Sequence, residues 1–158
     1  MLGISEGYYN TLKFFHVLAA ITWVGSAIYA QALATKVMSE NDPVHLANTA
    51  KDIGDLGKRV ITPASISVLV FGVWIVAVSP WNFSDTWVIL ALIGIGLTVI
   101  TGAGFLGPES ERLGKLVGER DPSDPEIRRR IKRVVAVSRI DLVVLILVVA
   151  DMVFKPGT

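Results

Sequence analysis

The 158-residue chain has no cysteine. Disulfides, thiolate metal sites and iron–sulfur clusters are therefore excluded. Charge is scarce too: 18% of residues are Asp, Glu, Lys or Arg, where a soluble domain carries about 25%. Histidine occurs twice, as His16 and His45, with no His-x-x-x-His pair, so a bis-histidine haem site within one chain is not expected. There is no nucleophile elbow, phosphate-binding loop or paired catalytic carboxylate motif. Gly102-Ala103-Gly104 contains Gly-x-Gly, but it closes an apolar run and no strand precedes it, so it carries no nucleotide signal. The net charge of +1 gives no electrostatic footprint for nucleic acid. Whether the protein is an enzyme is left open by these absences.

What the chain has is apolar surface. It is 52% hydrophobic, with a mean hydropathy of +0.57. Four runs stand out: Thr11–Ala34, Val60–Val78, Thr86–Leu106 and Val134–Phe154. Each approaches the roughly 20 residues a helix needs to cross about 30 Å of hydrocarbon. None alternates as a barrel strand would. The expectation is an all-α, single integral membrane domain over residues 1–158: a bundle of four transmembrane helices with the lipid bilayer as its first partner. Ala30-Gln31-Ala32 offers a cleavage-like site. Glu6 and Lys13 give the segment before it the wrong start for a signal peptide, so the first run is read as a helix.

The positive charges orient the bundle. Lys36, Lys51, Lys58 and Arg59 lie between the first two runs. Arg112, Lys115, Arg120, Arg128, Arg129, Arg130, Lys132 and Arg133 lie between the last two. Ser79–Asp85, between the second and third, has no Lys or Arg. The positive-inside rule places both basic loops in the cytoplasm and both termini outside, in a plasma membrane. Both basic loops are expected to be partly helical. Asn41-Asp42-Pro43 reads as a helix start, with Leu46, Ala50 and Ile53 at helical spacing behind it. Ser123-Asp124-Pro125-Glu126 has capping-box spacing, for a helix that continues through the basic run into the fourth span. Thr62-Pro63 reads as another helix start.

Ionisable residues inside lipid are costly and so are candidate site residues. Here they are Lys13, His16, Arg139, Asp141 and Asp151. Depth, counted at about 1.5 Å per residue, brings Lys13, His16, Asp151 and Met152 to similar heights in the outer leaflet. Neutral imidazole ligates metals and haem iron, which makes His16 a candidate ligand and Met152 its candidate partner. Trp23, seven residues on from His16, would form a wall on the same face, and Arg139 would meet an anion. Alternatively, His16 bonds a neighbouring helix, with Asp151 as its candidate partner, Arg139 snorkels to headgroups, Asp141 pairs with another helix, and Asp151 pairs with Lys13 or Lys155. Gly94, Thr98 and Gly102 recur at four-residue intervals and form a close-packing face, within the bundle or between copies in a homo-oligomer.

The opening Phe14–Tyr29, with His16, Trp23 and Gly25, and the ending Ala150–Pro156, with Met152 and Lys155, resemble a bacterial family of small integral membrane proteins of unassigned function. That family is distantly similar to the copper-resistance D membrane proteins and the four-helix membrane protoporphyrinogen oxidase. The resemblance implies b-type haem or copper at His16. The Leu-Pro-Arg run of those oxidases is replaced here by Ile28-Tyr29-Ala30-Gln31, which separates the chain from their reaction. Three functions are therefore open: a small membrane subunit or transporter-like bundle, a haem- or copper-binding redox protein, and a scaffold acting through its basic loops.

Overall fold

The computed structural model describes residues 5–157, and every regular element among them is helical. In chain order these are α1 (Glu6–Glu40), α2 (Pro43–Leu56), α3 (Thr62–Val78), α4 (Thr86–Thr101), α5 (Gly107–Glu119) and α6 (Pro125–Phe154). The 35 residues of α1 make a rod of about 50 Å, longer than the hydrocarbon is thick, so part of it stands in water.

The loop helices start where side chains satisfy their first N–H groups. Asp42 caps α2, accepting from the N–H of Val44 at 2.9 Å and of His45 at 3.1 Å. Pro43 occupies the first turn, where a missing N–H costs nothing. The expected start at Asn41-Asp42-Pro43 is thus observed, and Leu46, Ala50 and Ile53 face the core. The capping box expected at Ser123 is displaced by one residue. Asp124 accepts from the N–H of Glu126 at 2.8 Å, while Ser123 turns back to Asp121. Asp caps as well as Ser, and Pro125 sets the helical φ next to it. α6 then runs unbroken through the basic residues, as expected.

Thr62-Pro63 is not a fresh start. Pro43–Val78 is one continuous helix with a wide π turn at Gly57–Ile61, and Thr86–Glu119 is another with a π turn at Gly102–Leu106. The N–H of Thr62 reaches the carbonyl of Gly57, and that of Gly107 the carbonyl of Gly102. A proline follows each turn, Pro63 and Pro108. Its ring collides with the carbonyl four residues back in a regular helix, and the wide turn relieves that collision.

Among the described residues three helices are long and apolar enough to cross a membrane: Glu6–Glu40, Pro43–Val78 and Thr86–Glu119, with mean hydropathies of 1.6, 2.2 and 2.3. The expectation of four is corrected to three on this measure. α6 falls short because any 18-residue stretch of its apolar half contains Arg139 and Asp141 together with Arg133 or Asp151.

Two helix pairs build the apolar part: α1 with α3, and α4 with α6. α3 and α4 meet at one end, where Val76 packs with Trp87 and Val88. At the polar end, α2, α5 and the first half of α6 close over the end of α1 around Ala34, Val37, Leu46, Leu113, Ile127 and Ile131. The apolar part instead turns much of its bulk outward: Ile21, Ile100, Val153 and Phe154 are among many large exposed side chains. That surface suits lipid as solvent. In the small-residue stripe, Gly94 and Thr98 are buried, and a Cβ on Gly94 would collide with Cγ2 of Val148 on α6. Gly102 lies in the π turn facing open space. Gly94 is therefore filled from within the chain, and Gly102 is not.

Candidate functional site

His16 projects from α1 toward α3. Its Nδ1 lies 3.0 Å from the carbonyl oxygen of Val68. A carbonyl only accepts, so Nδ1 carries the proton and Nε2 keeps its unshared pair. The ring fits because Gly72, one turn on from Val68, has no side chain. A Cβ there would lie 3.0 Å from Cε1 and 3.4 Å from Nδ1 of His16. Of the two alternatives for His16, the bond to a neighbouring helix is observed, and its partner is backbone rather than Asp151.

His16 lines a cleft of about 660 Å³ between the two helix pairs. Val17 and Ile21 of α1, Gly72 of α3, Leu92 of α4 and Met152 of α6 line it too. No Asp or Glu is among its lining residues, while Lys13 and Lys155 are. Trp81 and Trp87 also line it, edge to face with ring centroids 5.5 Å apart. The ammonium of Lys155 lies 4.3 Å from the Trp81 ring centre and 5.2 Å from that of Trp87. Trp87 is 7% exposed, and its buried indole N–H has no hydrogen-bond partner. Buried donors are almost always satisfied, so this one is an outstanding acceptor requirement.

The structure brings Lys13, His16 and Met152 to one cleft and leaves the other expected site residues outside it. Trp23 is buried among Ala64, Val68 and Leu145 and is packing, not a cleft wall. Arg139 is exposed, and Asp141 is half-buried without an ion pair or hydrogen bond among the described residues. The expected pairing of Asp141 is not found. Asp151 does not line the cleft, and neither of its buried carboxylate oxygens has a hydrogen-bond partner. Among the described residues no group of three or more His, Asp or Glu side chains converges to hold a metal ion. The donors facing the cleft are one imidazole and one thioether.

Two polar residues were not singled out by their charge. Gln31 of α1 accepts from the hydroxyl of Ser138 on α6 at 3.0 Å, a polar clamp between the two helices. An uncharged amide in an apolar run is the signal that identifies it.

The polar end is laced by ion pairs. Arg130 reaches Glu109 at 2.6 Å and Glu126 at 2.9 Å, and Lys58 reaches Glu111 at 3.0 Å. The Arg130 hydrogen bond holds the Glu126 carboxyl below its usual range. Lys58 does the same for Glu111. For Asp124 the capping bond from Glu126 N–H leads, with Arg120 next. The basic run is thus partly neutralised within the fold.

No curated protein and no solved structure matches the chain. A family model does, across residues 10–156. With its helices exposing apolar side chains and a polar cap at one end, the chain belongs to the family described as Predicted integral membrane protein (DUF2269).

Proposed function

We propose that this is a bacterial plasma-membrane protein in which α6 crosses with the other three helices, and that its cleft takes up a membrane-soluble ligand. On this reading it is a small membrane subunit or carrier, with the basic loops in the cytoplasm and both termini outside. The observation that carries it is a cleft of about 660 Å³ lined by residues of α1, α3, α4 and α6. That size falls within the usual range for ligand sites, about 300–1,000 Å³. The test is to extract amphiphiles that co-purify with the protein in a non-ionic detergent. Val17→Phe with Leu92→Phe narrows the cleft from opposite walls. The wild type should retain a defined small molecule that this variant loses. Equal recovery from both overturns the reading.

A second reading, a haem- or copper-binding redox protein, is favoured by the Nε2 lone pair of His16 and by Met152 on the same cleft. Imidazole and thioether suit haem iron or Cu(I), which would supply one-electron transfer. A Soret band or bound copper that His16→Ala abolishes supports it, and a colourless, metal-free protein overturns it.

A further inference from the structure

Resting on the cleft reading, we infer that the ligand is an apolar molecule headed by a hydroxyl group, which donates its hydrogen to Nε2 of His16. Three observations converge on that atom. The first is the tautomer. Nδ1 gives its hydrogen to the carbonyl of Val68 at 3.0 Å, so the other ring nitrogen can only accept. The second is access. Among the described residues, the buried polar side-chain atoms without a partner belong to Trp87 and Asp151. Nε2 of the half-buried His16 has no partner either and is not one of them, so it lies open. The Nδ1–Cε1 edge of the ring rests on α3, at Val68 and Gly72, and His16 lines the cleft. The third is the company. No Asp or Glu lines the cleft, so no carboxylate is there to keep a second proton on the ring.

A fixed acceptor in an apolar cleft selects a donor. Among lipid tails a hydroxyl has nothing to bond, and at Nε2 it gains a partner. Ketones, esters and ethers only accept, and there they meet a lone pair. The walls take the body of the molecule: Val17 and Ile21 of α1 and Leu92 and Ile95 of α4 are all apolar. The acceptor is also held in place. α1 carries the ring, α3 binds it through backbone, and Gly72 leaves it the space, so turning the ring would break the bond to Val68. Nε2 is thus preorganised, and a guest does not bear the cost of orienting it.

The test uses the full chain in a non-ionic detergent, with His45→Gln to remove the other histidine, an exposed side chain at the polar end. Para-decylphenol and its methyl ether are titrated separately onto protein carrying nitrogen-labelled histidine. The phenol should move the Nε2 resonance in the direction of hydrogen-bond acceptance, and the ether should leave it in place. Retention of each compound on the immobilised protein is then compared with His16→Leu, which cancels partition into detergent. The substitution should weaken retention of the phenol about three- to tenfold, the worth of one neutral hydrogen bond, and leave that of the ether unchanged. Should His16→Leu fail to fold, the Nε2 resonance decides alone. An Nε2 signal unmoved by the phenol, equal losses for phenol and ether in His16→Leu, or a metal ion bound at Nε2 overturns the inference and leaves the cleft reading standing. If Val17→Phe with Leu92→Phe changes the retention of neither compound, the cleft reading falls and the inference with it.

Discussion

The imidazole of His16 and the carbonyl of Val68 meet across two helices at 3.0 Å. That carbonyl belongs to a turn of α3 that Gly72 leaves open, so one missing side chain creates both the space and the bond. The tautomer follows from the acceptor. Nitrogen NMR of selectively labelled protein at neutral pH should show the His16 proton on Nδ1. A spectrum of the Nε2-protonated form would contradict the geometry.

Gly72→Ala places a methyl group 3.0 Å from Cε1 of His16. The ring must shift or the helices must part, which costs about 1–3 kcal/mol. A lower melting temperature in detergent is expected, together with loss of the Nδ1-protonated signal. An unshifted tautomer in Gly72→Ala would separate the glycine from the bond.

The notch at Gly94 accepts Val148 of α6. Gly94→Ala should destabilise the α4/α6 pair by about 1–3 kcal/mol, and adding Val148→Ala should recover most of that by vacating the same space. Thermal unfolding of the single and double variants measures the coupling. Additive losses would mean that the two residues do not share the site.

The polar end should respond to acid. Glu126, Glu111 and Asp124 have carboxyls held below their usual range by Arg130, Lys58 and the α6 cap respectively. A depressed folded-state pKa contributes stability above the usual carboxylate range, about 3.9–4.3, and that stability is lost as pH falls through the depressed values. Because Glu111 is solvent-exposed and Asp124 and Glu126 are partly so, the effect is modest. Hydrogen-exchange protection, corrected for the intrinsic rate at each pH, should hold constant at α5 and the start of α6 from neutral pH to about 5 and fall below about 4. A change centred near neutrality would point to another group.

A chain without cysteine is suited to topology mapping. Single cysteines at Ser84 and Pro156 should react with a membrane-impermeant maleimide from the outside, and one at Ser123 should react only after permeabilisation. Labelling of Pro156→Cys from the same side as Ser123→Cys would show that α6 does not cross.

The bundle was legible because lipid demands long apolar helices, and the runs from Thr11, Val60, Thr86 and Val134 announce their lengths. α6 shows the limit: Arg139, Asp141 and Asp151 interrupt a run that still packs along α4. The π turns were not legible, since Thr62-Pro63 reads as a helix start until the preceding residues are seen to be helical. Depth groups Lys13, His16, Asp151 and Met152, and the cleft is lined by three of them, without Asp151. It could not give Val68 as the partner of His16, because every residue has a carbonyl and only the crossing of two helices selects one. Nor could it turn Trp23 inward, or reveal a cleft, which exists between helix pairs and not along any one of them.

Val17, Ile21, Leu92 and Val153 line the cleft and are exposed as well, so it gapes sideways. A guest arriving through that opening has already left water, and it displaces hydrocarbon tails no less greasy than the walls. Greasiness therefore cannot distinguish one guest from another. Whatever selectivity this protein exercises is concentrated in a handful of heteroatoms at the rim and on His16, and altering these few should change which guest is chosen while the scaffold stays intact.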